Sequence, residues 1–416
     1  MTRIFFRKLV FALTVGLAIS FAPAENSSAQ GARSQAPGAD EGTTQVYYVA
    51  AEPVTWNYAP SGADQVEGVR FDTSTARFSA PLGSDVVRYA NVVEGDYLPG
   101  QNPEIDGIGP VYQKVLYRAY TDSTFTERKP HPPKWEHLGT LGPVLRAEVG
   151  DTIKVVFKNK AGRPYSVHPH GVFYEKDSEG FGYRDGTSGA DRADDAVAPG
   201  DTHTYVWPVP ERAGPGPRDP SSLLWMYHSH VHEDEDINTG LMGPMIVTER
   251  GMAGPGGVPK DVDREVVAFF AEMNETDSWR YGENIRRHTA LPVDSATAQP
   301  EFEFTNLMES VNGYMYGNMP MPTLRQGERV RWYMFAGVNR SDHHTVHWHG
   351  QPATFRGRQT QVMELGPMMM GVADMVPKAT GTWLLHCREE EDFKAGMSAR
   401  YKVLPAEKTA STGPEE

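Results

Sequence analysis

The chain has 416 residues and a single cysteine, Cys387, which directly follows His386 in Trp383-Leu-Leu-His-Cys-Arg388. One thiol can form no internal disulfide, so it acts either as a small buried hydrophobe or as a metal ligand. Three histidine pairs of the form H-x-H favour the second: His168-Pro-His170, His228-Ser-His230 and His347-Trp-His349, the last preceded by His344. On a strand, alternate residues share a face, so each pair presents two imidazoles side by side. A cysteine in the middle of such a strand faces the other way, serving one metal while its histidine neighbour serves another. Thiolate, imidazole and a more distant thioether form the donor set of an electron-transfer copper site, and Cys387, His344 and Met397 supply those three types.

Longer stretches carry a family resemblance. Tyr47-Tyr-Val-Ala-Ala-Glu-Pro-Val-Thr-Trp56, Leu141-Gly-Pro-Val-Leu-Arg-Ala-Glu-Val-Gly-Asp151, His203-Thr-Tyr-Val-Trp207, Gly240-Leu-Met-Gly-Pro244 and His344-Thr-Val-His-Trp-His-Gly350 are the segments concerned. They resemble two-domain bacterial multicopper oxidases related to ceruloplasmin and the A domains of coagulation factors V and VIII. The resemblance spans nearly all of the mature chain. It implies an all-β fold of two cupredoxin-like Greek-key β-sandwich domains, with copper as cofactor. It also implies an oxidoreductase that couples one-electron oxidation of a reductant, a phenol or a metal ion, to reduction of dioxygen. By the same resemblance His168 and His347 are type 2 copper ligands, and His170, His228, His230, His349 and His386 are type 3 ligands. His344, Cys387 and Met397 are type 1 ligands, and electrons pass from Cys387 to His386 and His349.

The sequence repeats internally, which supports two similar domains. Gly150-Asp-Thr-Ile-Lys-Val-Val-Phe157 leads to His168-Pro-His-Gly171 as Gly327-Glu-Arg-Val-Arg-Trp-Tyr-Met334 leads to His347-Trp-His-Gly350. Trp225-Met-Tyr-His-Ser-His230 matches Trp383-Leu-Leu-His-Cys-Arg388, so Ser229 leaves the first domain without a thiolate. Two positions depart from the family pattern H-C-H-x-x-x-H-x-x-x-G-M. Arg388 replaces the sixth type 3 imidazole, and Asp392 replaces the second type 1 imidazole. A guanidinium neither deprotonates nor ligates, whereas a carboxylate is a hard ligand that suits Cu(I) poorly. Four residues apart, Arg388 and Asp392 would face one another on a helical turn and pair.

The basic Met1-Thr-Arg-Ile-Phe-Phe-Arg-Lys8, the apolar Leu9 to Phe21 and Ala22-Pro-Ala24 form a secretory signal over 1–24, with cleavage after Ala29 as an alternative. Residues 25–43 are a polar lead-in, 44–250 the first domain, 251–260 a Gly-rich linker, 261–406 the second domain and 407–416 a polar tail. An exported, periplasmic or secreted protein without a membrane span follows. A formal charge of -14 argues against nucleic acid or an anionic membrane as partner.

Three further groups stand out. Lys176, Glu179, Asp185, Asp191, Asp194 and Asp195 match a calcium loop of the family, hard oxygen ligands on a Gly-rich segment. Met363, Met368, Met369, Met370 and Met375 could bind a cuprous ion, although core filling is the preferred reading. Asp342, Glu389, Glu390 and Glu391 would draw a cation such as Fe(II) towards the type 1 side. The resemblance implies a homotrimer whose trinuclear histidines meet between subunits. The rival to an oxidase is a non-catalytic copper-binding cupredoxin protein that has lost electron transfer.

Overall fold

Alternation of apolar and polar residues sets the strands. In Thr152–Asn159 burial alternates strictly, with Ile153, Val155, Phe157 and Asn159 turned inward. The computed structural model describes residues 42–71, 108–288, 292–294, 305–339 and 342–407. The signal segment, nearly all of the lead-in and the tail beyond residue 407 lie outside the described residues.

The first sandwich packs two four-stranded sheets face to face. One runs in the order 111–120, 44–57, 152–159, 202–208, and the other in the order 145–148, 242–248, 222–228, 168–169. In the second sandwich the order 307–311, 264–274, 330–336, 370–375, 353–355, 358–360 faces 323–325, 398–404, 381–387, 344–348, 362–365. The repeat seen in sequence is also a repeat of pairing. Strand 44–57 runs parallel to 152–159 as 264–274 runs parallel to 330–336. His168 stands opposite His228 in one sandwich and His347 opposite His386 in the other.

Each H-x-H is followed by a glycine that the fold requires. Gly171 has φ +80° and Gly350 has φ +72°, a region that side chains rarely adopt. A Cβ on Gly171 would lie 2.1 Å from Trp225, and one on Gly350 would lie 2.3 Å from Trp383. These tryptophans precede His228 and His386 by three residues, so one indole in each sandwich locks the two histidine-bearing strands together.

Residues 251–260 are a linker by composition, yet they are tied down. Gly254 N–H bonds to Val258 O, Lys260 N–H to Met252 O, and Arg146 to Gly257 O. The two sandwiches also share a continuous apolar core, in which Tyr58, Tyr112, Leu224 and Met226 of the first meet Val267, Phe269, Tyr333 and Phe335 of the second. Burial of that many large side chains fixes the sandwiches against each other. At the edge of this core, Lys114 and Glu275, each fully buried, form an ion pair across the junction. Of the methionine group, Met363 and Met375 fill the second core, while Met369 is 43% exposed. Among the described residues, no helix is long and apolar enough to cross a membrane.

Candidate metal centres

Strand pairing brings the first histidine set together. The ring of His168 lies 5.4 Å from His170, 5.5 Å from His228 and 5.1 Å from His230, between centroids. Backbone carbonyls fix the tautomers: His168 Nδ1 donates to Glu179 O at 2.5 Å, and His228 Nδ1 donates to Ser229 O at 3.0 Å. A carbonyl can only accept, so in the neutral ring Nε2 keeps its lone pair free for a metal. His170 Nε2 and His228 Nε2 stand 3.0 Å apart. Two nitrogens each about 2 Å from one ion would be separated by about this distance. Burial holds His168 and His170 down to about 4 and lowers His228 well below its ordinary value, so these imidazoles are neutral at pH 7.

The second set mirrors the first. His347, His349 and His386 place their ligand nitrogens within 4.8 Å of one another, and His349 Nε2 lies 2.9 Å from His386 Nε2. His386 Nδ1 donates to Cys387 O at 2.5 Å. Burial lowers the pKa of all three, and the cation of Arg388 lowers it further. Arg388 thus acts on the imidazoles and not on Asp392. Among the described residues it forms no ion pair. The expected Arg388 to Asp392 pairing fails because the helix starts only at Glu390, leaving Arg388 outside it. Among the described residues, no ring contact or hydrogen bond joins one histidine set to the other.

On the opposite face of strand 381–387 lies the thiolate locus. His344, Cys387 and Asp392 present ligand atoms within 4.8 Å of one another, and Met397 is fully buried nearby in the same core. Thr345 N–H points at Cys387 Sγ from 3.3 Å. His344 is clamped at both nitrogens: Nε2 lies 2.9 Å from Asp342 and Nδ1 2.9 Å from Asp392. Burial opposes protonation of this ring, but the carboxylates prevail and hold it up to about 12. Burial raises the Cys387 thiol. Asp342 was expected to help draw a cation towards the type 1 side. It is instead buried, bonded to the backbone N–H groups of Glu272 and Asn339, and it orients His344. Glu389, Glu390 and Glu391 are exposed.

Imidazole donors suit copper at both sets, and in the second all three ligand nitrogens lie within 4.8 Å of one another. At the thiolate locus the donors are nitrogen, sulfur and oxygen, in place of the two nitrogens and sulfur of a blue centre. Copper-loaded protein is therefore expected to show little or none of the intense thiolate charge-transfer absorption. A deep blue visible spectrum would mean that another imidazole, such as that of exposed His343, has replaced Asp392.

The calcium group is partly neutralised from within. Lys176 Nζ bonds to Glu179 at 2.6 Å and to Asp185 at 2.9 Å, and Asp191 is exposed. Asp194 Oδ1 and Asp195 Oδ2 are buried without a hydrogen-bond partner, although Arg192 Nε approaches the latter to 3.1 Å. Sequence reading missed Glu233, Glu272 and Glu309. Glu233, whose Oε1 lies 3.5 Å from His228 Nε2, was detectable as an acid three residues beyond His230. Glu309, buried beside Asp392 and Glu272 with its carboxyl pushed well up by burial, is far from the motifs in sequence and gave no signal.

Two paired sandwiches, each with facing histidines on adjacent strands and one with a Cys-His step between metal loci, define a copper protein of the cupredoxin kind. Multicopper oxidase family profiles match residues 138–251 and 286–407, and the chain belongs to the multicopper oxidase family, whose metal is copper. It is 41% identical to human hephaestin over 369 residues, which is 88% of this chain and 30% of hephaestin. It is 38% identical to human ceruloplasmin over 361 residues, 86% of this chain and 32% of ceruloplasmin. The chain thus spans about a third of the length of these relatives. The fold is similar to the multicopper oxidase mgLAC, with TM-score 0.52 and 15% identity over 89% of this chain and 90% of that one. It is also similar to a copper nitrite reductase from Nitrosomonas europaea, with TM-score 0.51 and 14% identity over 87% of this chain and 94% of that one.

Proposed function

We propose that this is an exported multicopper oxidase-type enzyme that couples one-electron oxidation of a small reductant to reduction of dioxygen. The observation that carries the reading is the Cys387-His386 step, which joins the thiolate locus to the imidazole set on the other face of the same strand. His168 and His347 would hold a type 2 copper, and His170, His228, His230, His349 and His386 would hold the type 3 pair. His344, Cys387 and Met397, with Asp392, would hold the remaining copper. Copper, when bound, supplies the one-electron chemistry. The chain fixes the tautomers of His168, His228 and His386 through backbone carbonyls, and it provides a covalent path of few bonds from Cys387 to His386.

A cationic reductant such as Fe(II) is favoured over a phenol by exposed Glu389 and Glu391. Calcium at the 176–195 loop is part of the proposal, supported by the buried Oδ1 of Asp194, which has no hydrogen-bond partner. The test is oxygen uptake by copper-loaded protein with Fe(II) and with a phenol, alongside copper per chain. Oxygen uptake no faster than without protein, at full copper content, would sink the oxidase reading. A non-catalytic copper-binding role would then stand, and one observation already favours it: carboxylates hold both nitrogens of His344, Asp342 at Nε2 and Asp392 at Nδ1.

The separation of the two histidine sets supports a cyclic homotrimer, in which the set of one subunit meets the complementary set of the next. Light scattering of the copper-loaded protein is expected to give three times the chain mass. A stable monomer that still holds copper at these histidines would rule it out.

A further inference from the structure

The two sandwiches leave a cleft of about 500 Å³ beside their junction, where strand 222–228 of the first packs near strand 370–375 of the second. That size is within the range of small-molecule sites, roughly 300–1,000 Å³. Its walls are apolar and aromatic: Leu223 and Trp225 come from the first sandwich, and Phe355, Met370 and Val372 from the second. The charged side chains lining it are Arg218, Asp219, Arg356 and Asp374. Both acids are already engaged. Asp374 accepts from Arg331 Nε at 2.7 Å and from its Nη2 at 2.9 Å, and Asp219 Oδ2 accepts from Gly216 N–H at 3.0 Å. Neither arginine is: among the described residues Arg218 and Arg356 make no ion pair or hydrogen bond, and Arg356 lies over the ring of Phe355, 4.9 Å from its centroid.

A strained turn holds Arg356 at this place. Phe355 pairs with Arg358, so Arg356-Gly357 is a two-residue hairpin turn, with φ +50° and +74°. A turn with both central residues in the left-handed region favours Asn-Gly, and a long side chain in the first position is strained. Backbone strain of this kind collects at ligand sites, where it is part of the mechanism. We propose that the cleft binds a small aromatic carboxylate, its rings between the apolar walls and its charge set against Arg218 and Arg356. A planar guanidinium is the side chain best shaped to receive a carboxylate, and it also stacks on aromatic rings. The site needs no copper, so it stands or falls apart from the oxidase reading.

The experiment is calorimetric titration of the full-length protein, copper-free and copper-loaded, with 2-naphthoate, naphthalene-2-carboxamide and acetate. One 2-naphthoate per chain is expected to bind, the uncharged carboxamide at least about tenfold more weakly, and acetate not measurably, since it has the charge without the rings. Arg356→Asn suits the turn better than the arginine does, so it should melt no earlier than the parent while binding 2-naphthoate about tenfold more weakly. Arg218→Gln should weaken binding to a similar extent, and Val372→Trp, which fills the cleft, should remove it. Unchanged affinity in folded Arg356→Asn and Arg218→Gln overturns the proposal. So does a carboxamide that binds as tightly as the acid, or a parent that binds no 2-naphthoate. A parent that binds 2-naphthoate and holds copper but consumes no oxygen would sink the oxidase reading and leave this site intact.

Discussion

Replacing Arg388 and Asp392 together by histidine is expected to raise copper content, turn the protein blue and increase dioxygen-dependent oxidation of a small reductant. The seven imidazoles proposed for the trinuclear cluster, the Cys387 sulfur, the Met397 thioether and the His344 imidazole lie on strands or within two residues of a strand end. Burial lowers the pKa of His347, His349 and His386, and the charge of Arg388 adds to it, so that charge reaches the cluster. A unit positive charge at about 4 Å costs a bound cation about 4 kcal/mol per charge at an effective dielectric of about 20. Asp392→His also frees His344 Nδ1 from its carboxylate partner. Each single variant should recover less than about a tenth of the oxygen uptake of the double, because electrons need both an entrance and an acceptor. The idea fails if the folded double variant takes up no more copper than its parent, for then the surrounding shell no longer holds ligands in place.

Lys114→Met is expected to destabilise the chain by about 3–5 kcal/mol, the usual consequence of leaving one member of a buried ion pair alone. Lys114 and Glu275 are both fully buried, and Lys114 Nζ also donates to Asn238 O at 2.8 Å while Tyr58 donates to Glu275 Oε1 at 2.5 Å. Burial lowers the pKa of the lysine and raises that of the glutamate, and their mutual attraction opposes both shifts. Loss of the ammonium leaves Glu275 unpaired between the two sandwiches, with Oε2 already lacking a partner. Lys114→Met with Glu275→Gln should recover much of the loss by removing the stranded charge. Urea unfolding followed by tryptophan fluorescence measures it. A midpoint within experimental error of the parent in Lys114→Met would show that water or a shifted side chain satisfies Glu275.

The strand period and the repeated motifs were enough to determine much of this protein from its sequence. H-x-H at three places, with His-Cys at the fourth, could be assigned to faces because alternation on a strand is a local property of the backbone. The register of His168 with His228 and of His347 with His386 then followed the repeat. The departures of Arg388 and Asp392 from the family pattern were equally legible, since each falls at a fixed place in a local motif. Their consequences were not. Asp392 bonds His344, 48 residues away in sequence, and Asp342 takes the other nitrogen of the same ring. Glu309 and Glu272 reach that locus from strands that carry no motif. The 251–260 stretch reads as a linker by composition, but hydrogen bonds tie it down. Glu233 stood in plain view three residues from His230, and only the turn into its helix aimed it at the imidazoles. Motifs record which side chains share a strand face; which partner each one meets depends on contacts between distant segments, and those are set by how the sheets pack.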